Sequence, residues 1–148
     1  MQKQELIKVC HDYFKNKINS LTLIISEVTE SSNSESKSSA GDKHETAKAM
    51  MQLEREKLGT QLKEAEEQLS EFERINFNKL FQKVEQGSVV ETDKGSFFIG
   101  GSIGKIKVGD ELLFVISGKS PLARALEGKT VKDVIDFNGI TYKIKKIS

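Results

Sequence analysis

The sequence predicts an α+β protein: an N-terminal antiparallel coiled-coil helical hairpin, then a small antiparallel β-sheet domain with one short helix. Three observations predict it. Apolar residues recur at steps of three and four through the first half. A serine-rich stretch interrupts that helical pattern near its middle. The second half turns to short β-branched and aromatic segments bounded by glycine-containing turns.

From Leu6 the apolar positions are Val9, Cys10, Tyr13, Phe14, Ile18, Leu21, Ile24, Ile25 and Val28, one face of a helix. Neither Gly nor Pro occurs in residues 1–40. The run from Ser31 to Gly41 is rich in small polar residues, whose side chains compete for the backbone and favour a loop. A second helical run follows through Ala47, Met51, Leu58, Leu62, Ala65, Leu69 and Phe72, with Glu54 and Arg55 standing where an apolar residue is due. Two helices of about 25–30 residues each span roughly 40–45 Å. Joined by a short loop, they should pair stripe against stripe, with the tip near residues 31–45. That is longer than a compact domain of this size needs, so a slender hairpin holding its tip away from a globular partner is the expectation. An ordinary bundle formed by folding back or dimerising is the alternative. Residues 1–75 are thus expected as the hairpin and 76–148 as the sheet domain.

In the second half, strands are expected at Ser88–Thr92, Ser96–Ile99, Glu111–Ile116, Val134–Phe137 and Ile140–Ile144. Asn138-Gly139, between two of them, is a strong hairpin signal. Ser120-Pro121 reads as a helix N-cap followed by the first helical residue, and Gly128 as the stop. Gly100, Gly101 and Gly104 precede no helix and read as turns rather than a phosphate loop.

Composition narrows the function. Charged residues make up 30% and hydrophobic residues 36% of the 148. No apolar run of about 18 residues predicts a membrane span. The N-terminal stretch lacks the continuous apolar segment of a secretory signal, and a single cysteine, Cys10, allows no intrachain disulfide; both fit a cytoplasmic protein. Cys10 lies within the apolar stripe and reads as a small buried hydrophobe. Residues 1–75 hold 11 Lys/Arg against 14 Asp/Glu, net −3, and residues 76–148 hold 12 against 8, net +4. Neither half is basic enough for stable binding of free DNA or RNA through phosphates. His11 and His44 stand in no ligand constellation with a cysteine pair, so zinc is not expected.

Three stretches together resemble the Gre transcript-cleavage factor family. Gly41-Asp42-Lys43-His44-Glu45 matches its Gly-Asp-x-x-Glu tip motif. Ser120-Pro121-Leu122-Ala123-Arg124-Ala125-Leu126-Glu127-Gly128-Lys129 looks very much like its C-terminal Ser-Pro-Ile-Ala-Arg-x-Leu-x-Gly-Lys signature. Val134–Phe137 and Tyr142–Ile144 fall where the family has its last two strands. The tip motif alone is weak; the C-terminal signature is specific. The resemblance covers most of the chain and implies an FKBP-like C-terminal domain that grips bacterial RNA polymerase at the mouth of its secondary channel. The hairpin then reaches the polymerase active site and stimulates cleavage of backtracked RNA at its 3′ end. The chain would have no cofactor of its own and would share magnesium with the polymerase. Asp42 and Glu45, by match to the tip motif, take the metal-holding and water-orienting roles; Ser120, Pro121 and Arg124 contribute to the grip.

The chemistry is coherent. Magnesium takes oxygen ligands and keeps several waters, so one or two added carboxylates can hold a weakly bound ion and orient its water. On a helix, residues three apart lie about 5–6 Å apart at Cβ. The same Asp-x-x-Glu spacing also makes a capping box, in which Asp42 accepts from backbone N–H groups and Glu45 reaches back. The two roles can coexist. Thr46-Ala47-Lys48-Ala49 stands where the family has Asn-Ala-Glu-Tyr, so only the alanine agrees. Lys37, Lys43 and Lys48 flank the tip and could meet RNA phosphates, although a mixed-charge solvated face explains them too. A secondary-channel regulator of the polymerase without cleavage activity is the alternative function. Prolyl isomerisation, suggested only by an FKBP-like fold, lacks the expected aromatic pocket in a chain with no Trp and 2 Tyr.

Overall fold

The computed structural model describes residues 2–35 and 42–148, with the backbone alone at residues 32–35, 42 and 44. Two compact units divide the chain: His11–Ser70, and Met1–Cys10 together with Glu71–Ser148.

The first unit is a helical hairpin built from α1 (Lys3–Glu35) and α2 (Asp42–Glu73). Within it Leu21, Leu58 and Ala65 are buried, and Ile18, Ile25, Val28 and Leu62 pack against them. These positions repeat by threes and fours on both helices, which keeps one stripe facing the partner helix. Met51 and Arg55 continue the α2 stripe and are half-buried, while Glu54 is exposed. The apparent interruption is therefore one arginine, whose methylene stem suits a seam position while its charge stays in water. Thr22, Thr29 and Thr60 donate their hydroxyls to the carbonyls of Ile18, Ile25 and Glu56, so these polar side chains are satisfied inside the helices. One boundary differs from expectation. The serine-rich run was expected to be loop from Ser31, yet α1 continues through Ser31-Ser32-Asn33-Ser34 to Glu35. Serine and asparagine cost a helix only about half a kcal/mol each, too little to end one already propagating. Residues 36–41, the centre of the expected tip, lie outside the described residues.

The other unit holds a six-stranded sheet of β1 (Val89–Thr92), β2 (Gly95–Ile99), β3 (Gly104–Val108), β4 (Glu111–Ile116), β5 (Val134–Phe137) and β6 (Ile140–Ile147), with α3 (Pro121–Leu126) before β5. The spatial order is β3-β4-β2-β1-β6-β5. All pairings are antiparallel except β2 with β4, where Phe97, Phe98 and Ile99 lie opposite Phe114, Val115 and Ile116. The expected sheet was wholly antiparallel and lacked β3. After β2 the chain passes to the outer edge as β3 and returns as β4, which fills the gap beside β2 in the parallel sense.

Local chemistry accounts for the turns. Asn138 and Gly139 both have positive φ, 50° and 77°, as the tight β5–β6 hairpin requires. Between β1 and β2, Thr92 Oγ1 accepts from the Lys94 N–H and donates to the Gly95 carbonyl. Asp93 in that turn accepts from the Lys143 N–H of β6 at 2.8 Å, tying two loops together.

Both faces of the sheet carry buried side chains. One carries Val90, Phe97, Ile99, Ile135, Tyr142 and Ile144, covered by Ala123 and Leu126 of α3 and by Val84. On the other, Phe98 packs against Phe72 and Phe77, with ring centroids 6.4 and 6.1 Å away. Leu6 and Cys10, in the α1 segment of this unit, are completely buried, as are Phe98, Leu126 and Ile144. Each such Leu, Ile or Phe side chain contributes about 1.5–3 kcal/mol by leaving water. Burial pushes the Cys10 thiol up to about 12, in keeping with the expected role of a small apolar residue.

Candidate functional site

The hairpin end of the candidate site is the start of α2. Asp42 is its first residue, and its side chain lies outside the described residues. Glu45, one turn on, is exposed, as are Lys43, Thr46 and Lys48; Ala47 is half-buried. The one position that agrees with the family beyond the acidic motif, Ala47, is thus the one turned away from solvent. A helical i, i+3 relation puts positions 42 and 45 on one side of α2. Lys37 and the loop that closes the tip fall outside the described residues.

The signature segment forms α3. Ser120 is the N-cap: its Oγ accepts from the Ala123 N–H at 3.3 Å and donates to the Ser117 carbonyl at 2.7 Å. Pro121 occupies the first turn, where its missing N–H costs nothing. The exit is fixed as well. Gly128 takes φ 76° and donates to the Val84 carbonyl, while the Val84 N–H donates to Lys129. Ala123 and Leu126 face the core. Pro121 and Arg124 are exposed and three residues apart, on one side of the helix. Among the described residues no carboxylate pairs with the Arg124 guanidinium. Of the three residues named from the signature, Ser120 is occupied in holding the fold, and Pro121 and Arg124 present free surface.

Beside α3 lies a cleft of about 170 Å³, lined by Val84, Glu85, Gln86, Ile99, Gly118, Lys119, Ala123 and Glu127. It has no aromatic lining residue, unlike the pocket that prolyl isomerisation needs. A second, more open cleft of about 360 Å³ is lined by Glu71, Arg74, Ile75, Asn76, Lys79, Glu85 and Gln86, with Lys79 and Glu85 paired at 2.6 Å.

A further feature went unread in the sequence. Leu112 and Phe114 of β4 are 57% and 43% exposed. Their cross-strand partners on β3 are Lys107 and Lys105. The signal was present as alternation, since Leu113 and Val115 are the buried positions of β4.

Among the described residues no helix is long and apolar enough to cross a membrane. No family model matches the chain, and no curated protein does either. Among solved structures the chain is similar to one described as the structure of the transcription factor Gfh1. The two share 20% identity over 97% of this chain and 91% of that one, with a TM-score of 0.36.

Proposed function

We propose that this chain is a Gre-like transcription factor that binds bacterial RNA polymerase at its secondary channel and lends carboxylates to the cleavage of backtracked RNA. The observation that carries the reading is the Ser120–Lys129 segment. Its fold-holding positions, Ser120, Ala123, Leu126 and Gly128, cap, pack and end α3, while Pro121 and Arg124 stay on the surface. An exposed arginine with no ion-pair partner among the described residues, beside an exposed proline on a firmly held helix, is the pattern expected of a contact site. The hairpin-then-sheet order supports the same reading.

In this account the polymerase is bound through the α3 region, and Glu45, with Asp42, acts at the start of α2. Carboxylate oxygens are hard donors suited to magnesium, and the exposed Glu45 is free to meet an ion held by another protein. Bound magnesium would supply Lewis-acid polarisation and an activated water. The chain's own contribution is to position the two carboxylates and to leave the complete site to the polymerase. It needs no RNA affinity of its own.

The second reading, channel occupancy without cleavage, draws on Lys48. It is exposed one turn beyond Glu45, where the family has an acidic residue. A cation there opposes a second cation, magnesium, at short range.

The test adds purified chain and magnesium to a backtracked elongation complex. Shortening of the RNA from its 3′ end is expected, with Asp42→Ala and Glu45→Ala each abolishing it while polymerase binding persists. Binding without shortening would support the regulator, and absence of binding would overturn both readings.

A further inference from the structure

Lys3 opens α1, in a segment whose Leu6 and Cys10 are completely buried. The Glu5 and Leu6 N–H groups both donate to the Gln2 carbonyl as the chain enters the helix. Lys3 therefore sits in the first turn, where the free N–H groups of a helix carry partial positive charge and disfavour a cation. Its Nζ lies 3.9 Å from the centre of the Phe81 ring, and Phe81 is buried. Lys79 reaches the same ring, with its Nζ 5.4 Å from the centre. Both lysines belong to one compact unit of the chain.

The two ammonium groups are not equivalent. Lys79 has a carboxylate partner, Glu85, at 2.6 Å. Lys3 has none among the described residues, and the positions one turn along α1, Leu6 and Ile7, are apolar. The face of an aromatic ring attracts a cation, but here that attraction is divided between two. Covering Phe81 accounts for a long side chain at position 3; it does not call for a second ammonium left without a counter-ion. Burial without a partner lowers Lys3 from the ordinary lysine value to about 8. At pH 7.5 about a quarter of such a group is the neutral amine, against about one part in a thousand for an ordinary lysine. Desolvation and a neighbouring cation are two ways in which a lysine becomes nucleophilic, and both meet at Lys3.

We propose that Lys3 is a nucleophilic lysine and a modification site, which takes an acyl group from a small acyl phosphate. Its side chain is half-buried rather than enclosed, so a small reagent reaches it. Lys79, with three N–H donors, can hold Glu85 and still meet the donor's phosphate. The amine nitrogen attacks the acyl carbonyl, a C–N bond forms, and the C–O bond to phosphate breaks. Phosphate leaves with the electron pair of that bond, and the proton released by nitrogen passes to phosphate or water. The product is an uncharged amide, so the step removes the charge that burial and the helix start both oppose. Nucleophilicity falls with basicity, as it does for thiols, and this offsets about half of the gain in neutral amine on a logarithmic scale. What is left is a rate about tenfold above that of an exposed lysine.

The experiment treats the full chain with acetyl phosphate over a series of pH values and reads acetylation at each lysine by peptide mass spectrometry. Fragment ions separate Lys3 from the chain's α-amino group. At about pH 7.5 Lys3 should react about tenfold faster than the exposed Lys8, Lys15 and Lys17. Its rate should level off above about pH 8 while theirs keep rising. Lys79→Glu, checked for an unchanged circular dichroism spectrum, replaces the neighbouring cation with a carboxylate. It should slow Lys3 about tenfold and move the levelling to higher pH. A wild-type Lys3 rate within about twofold of that of Lys8 would overturn the proposal. So would a Lys3 rate and pH profile unmoved by Lys79→Glu. Where that variant fails to fold, the wild-type comparison decides alone.

Discussion

Replacing Ser120 and Arg124 separately should divide the α3 motif into the part that folds and the part proposed to bind. Ser120 Oγ makes two hydrogen bonds, one from the Ala123 N–H at 3.3 Å and one to the Ser117 carbonyl at 2.7 Å. Loss of an N-cap side chain costs about 1 kcal/mol. The Ser117 carbonyl also accepts from the Ser120 N–H at 3.0 Å, so it stays satisfied, and the second loss adds at most about 0.5 kcal/mol. Ser120→Ala should therefore destabilise by about 1–1.5 kcal/mol, which lowers the melting temperature of a domain this size by roughly 5–10 °C. Arg124 is exposed and lacks an ion-pair partner among the described residues. Arg124→Ala should leave stability within about 0.5 kcal/mol of wild type and weaken polymerase binding by about tenfold. Thermal melts by circular dichroism, paired with polymerase binding, measure both. A stable Ser120→Ala protein would refute the cap assignment. An Arg124→Ala protein that melts early, or binds as wild type does, would refute the division of roles.

Three further outcomes follow from the packing. Leu58 is 6% exposed between Leu21 and Ala65, so Leu58→Ala should cost about 2–4 kcal/mol in urea titrations followed by helix content. Lys132 has φ 78°, and its N–H donates to the Ile144 carbonyl. Glycine keeps that bond without the strain, so Lys132→Gly should stabilise by about 0.5–1 kcal/mol, read as a raised melting temperature. The Lys143 N–H, aided by the Lys94 ammonium, holds the Asp93 carboxyl below the usual aspartate range. A depressed folded value means stability present above the unfolded aspartate value and lost as pH falls through the folded one. Asp93→Asn should flatten stability against pH in that acid window, measured by urea midpoints; an unchanged slope would remove Asp93 from the account.

The two halves differed in how much the sequence disclosed. The stripe Ile18, Leu21, Ile25 and Val28 recurs at a fixed helical period, and Asn138-Gly139 allows few alternatives to a tight hairpin, so both were legible. The capped helix at Ser120 was equally plain, because each of its end signals is a local hydrogen-bonding or φ requirement. Strand β3 was not. Gly104-Lys105-Ile106-Lys107-Val108 lies at the sheet's edge, where one half-buried and one buried apolar residue suffice, so its hydrophobic signal is thin. The parallel β2–β4 pairing depends on contacts between segments distant in sequence, which no local pattern encodes. The exposed positions of β4 were hidden for a related reason: which alternate residues of the strand meet solvent depends on how far α3 extends across the sheet. Asp42 and Glu45 rest on the motif match alone; of the two, Glu45 has a described side chain, and it is exposed.

The central claim is that the start of α2 enters the polymerase active centre, and a cutting reagent fixed there tests it most directly. Glu45→Cys provides a reactive exposed thiol, while the native Cys10 is buried, with its thiol pushed up to about 12, and should resist labelling. An iron chelate coupled at position 45 should generate radicals that cut the RNA within a few nucleotides of its 3′ end in a backtracked complex. Cutting confined to the polymerase surface, or none beyond that seen with the labelled-and-washed wild-type chain, would contradict the account.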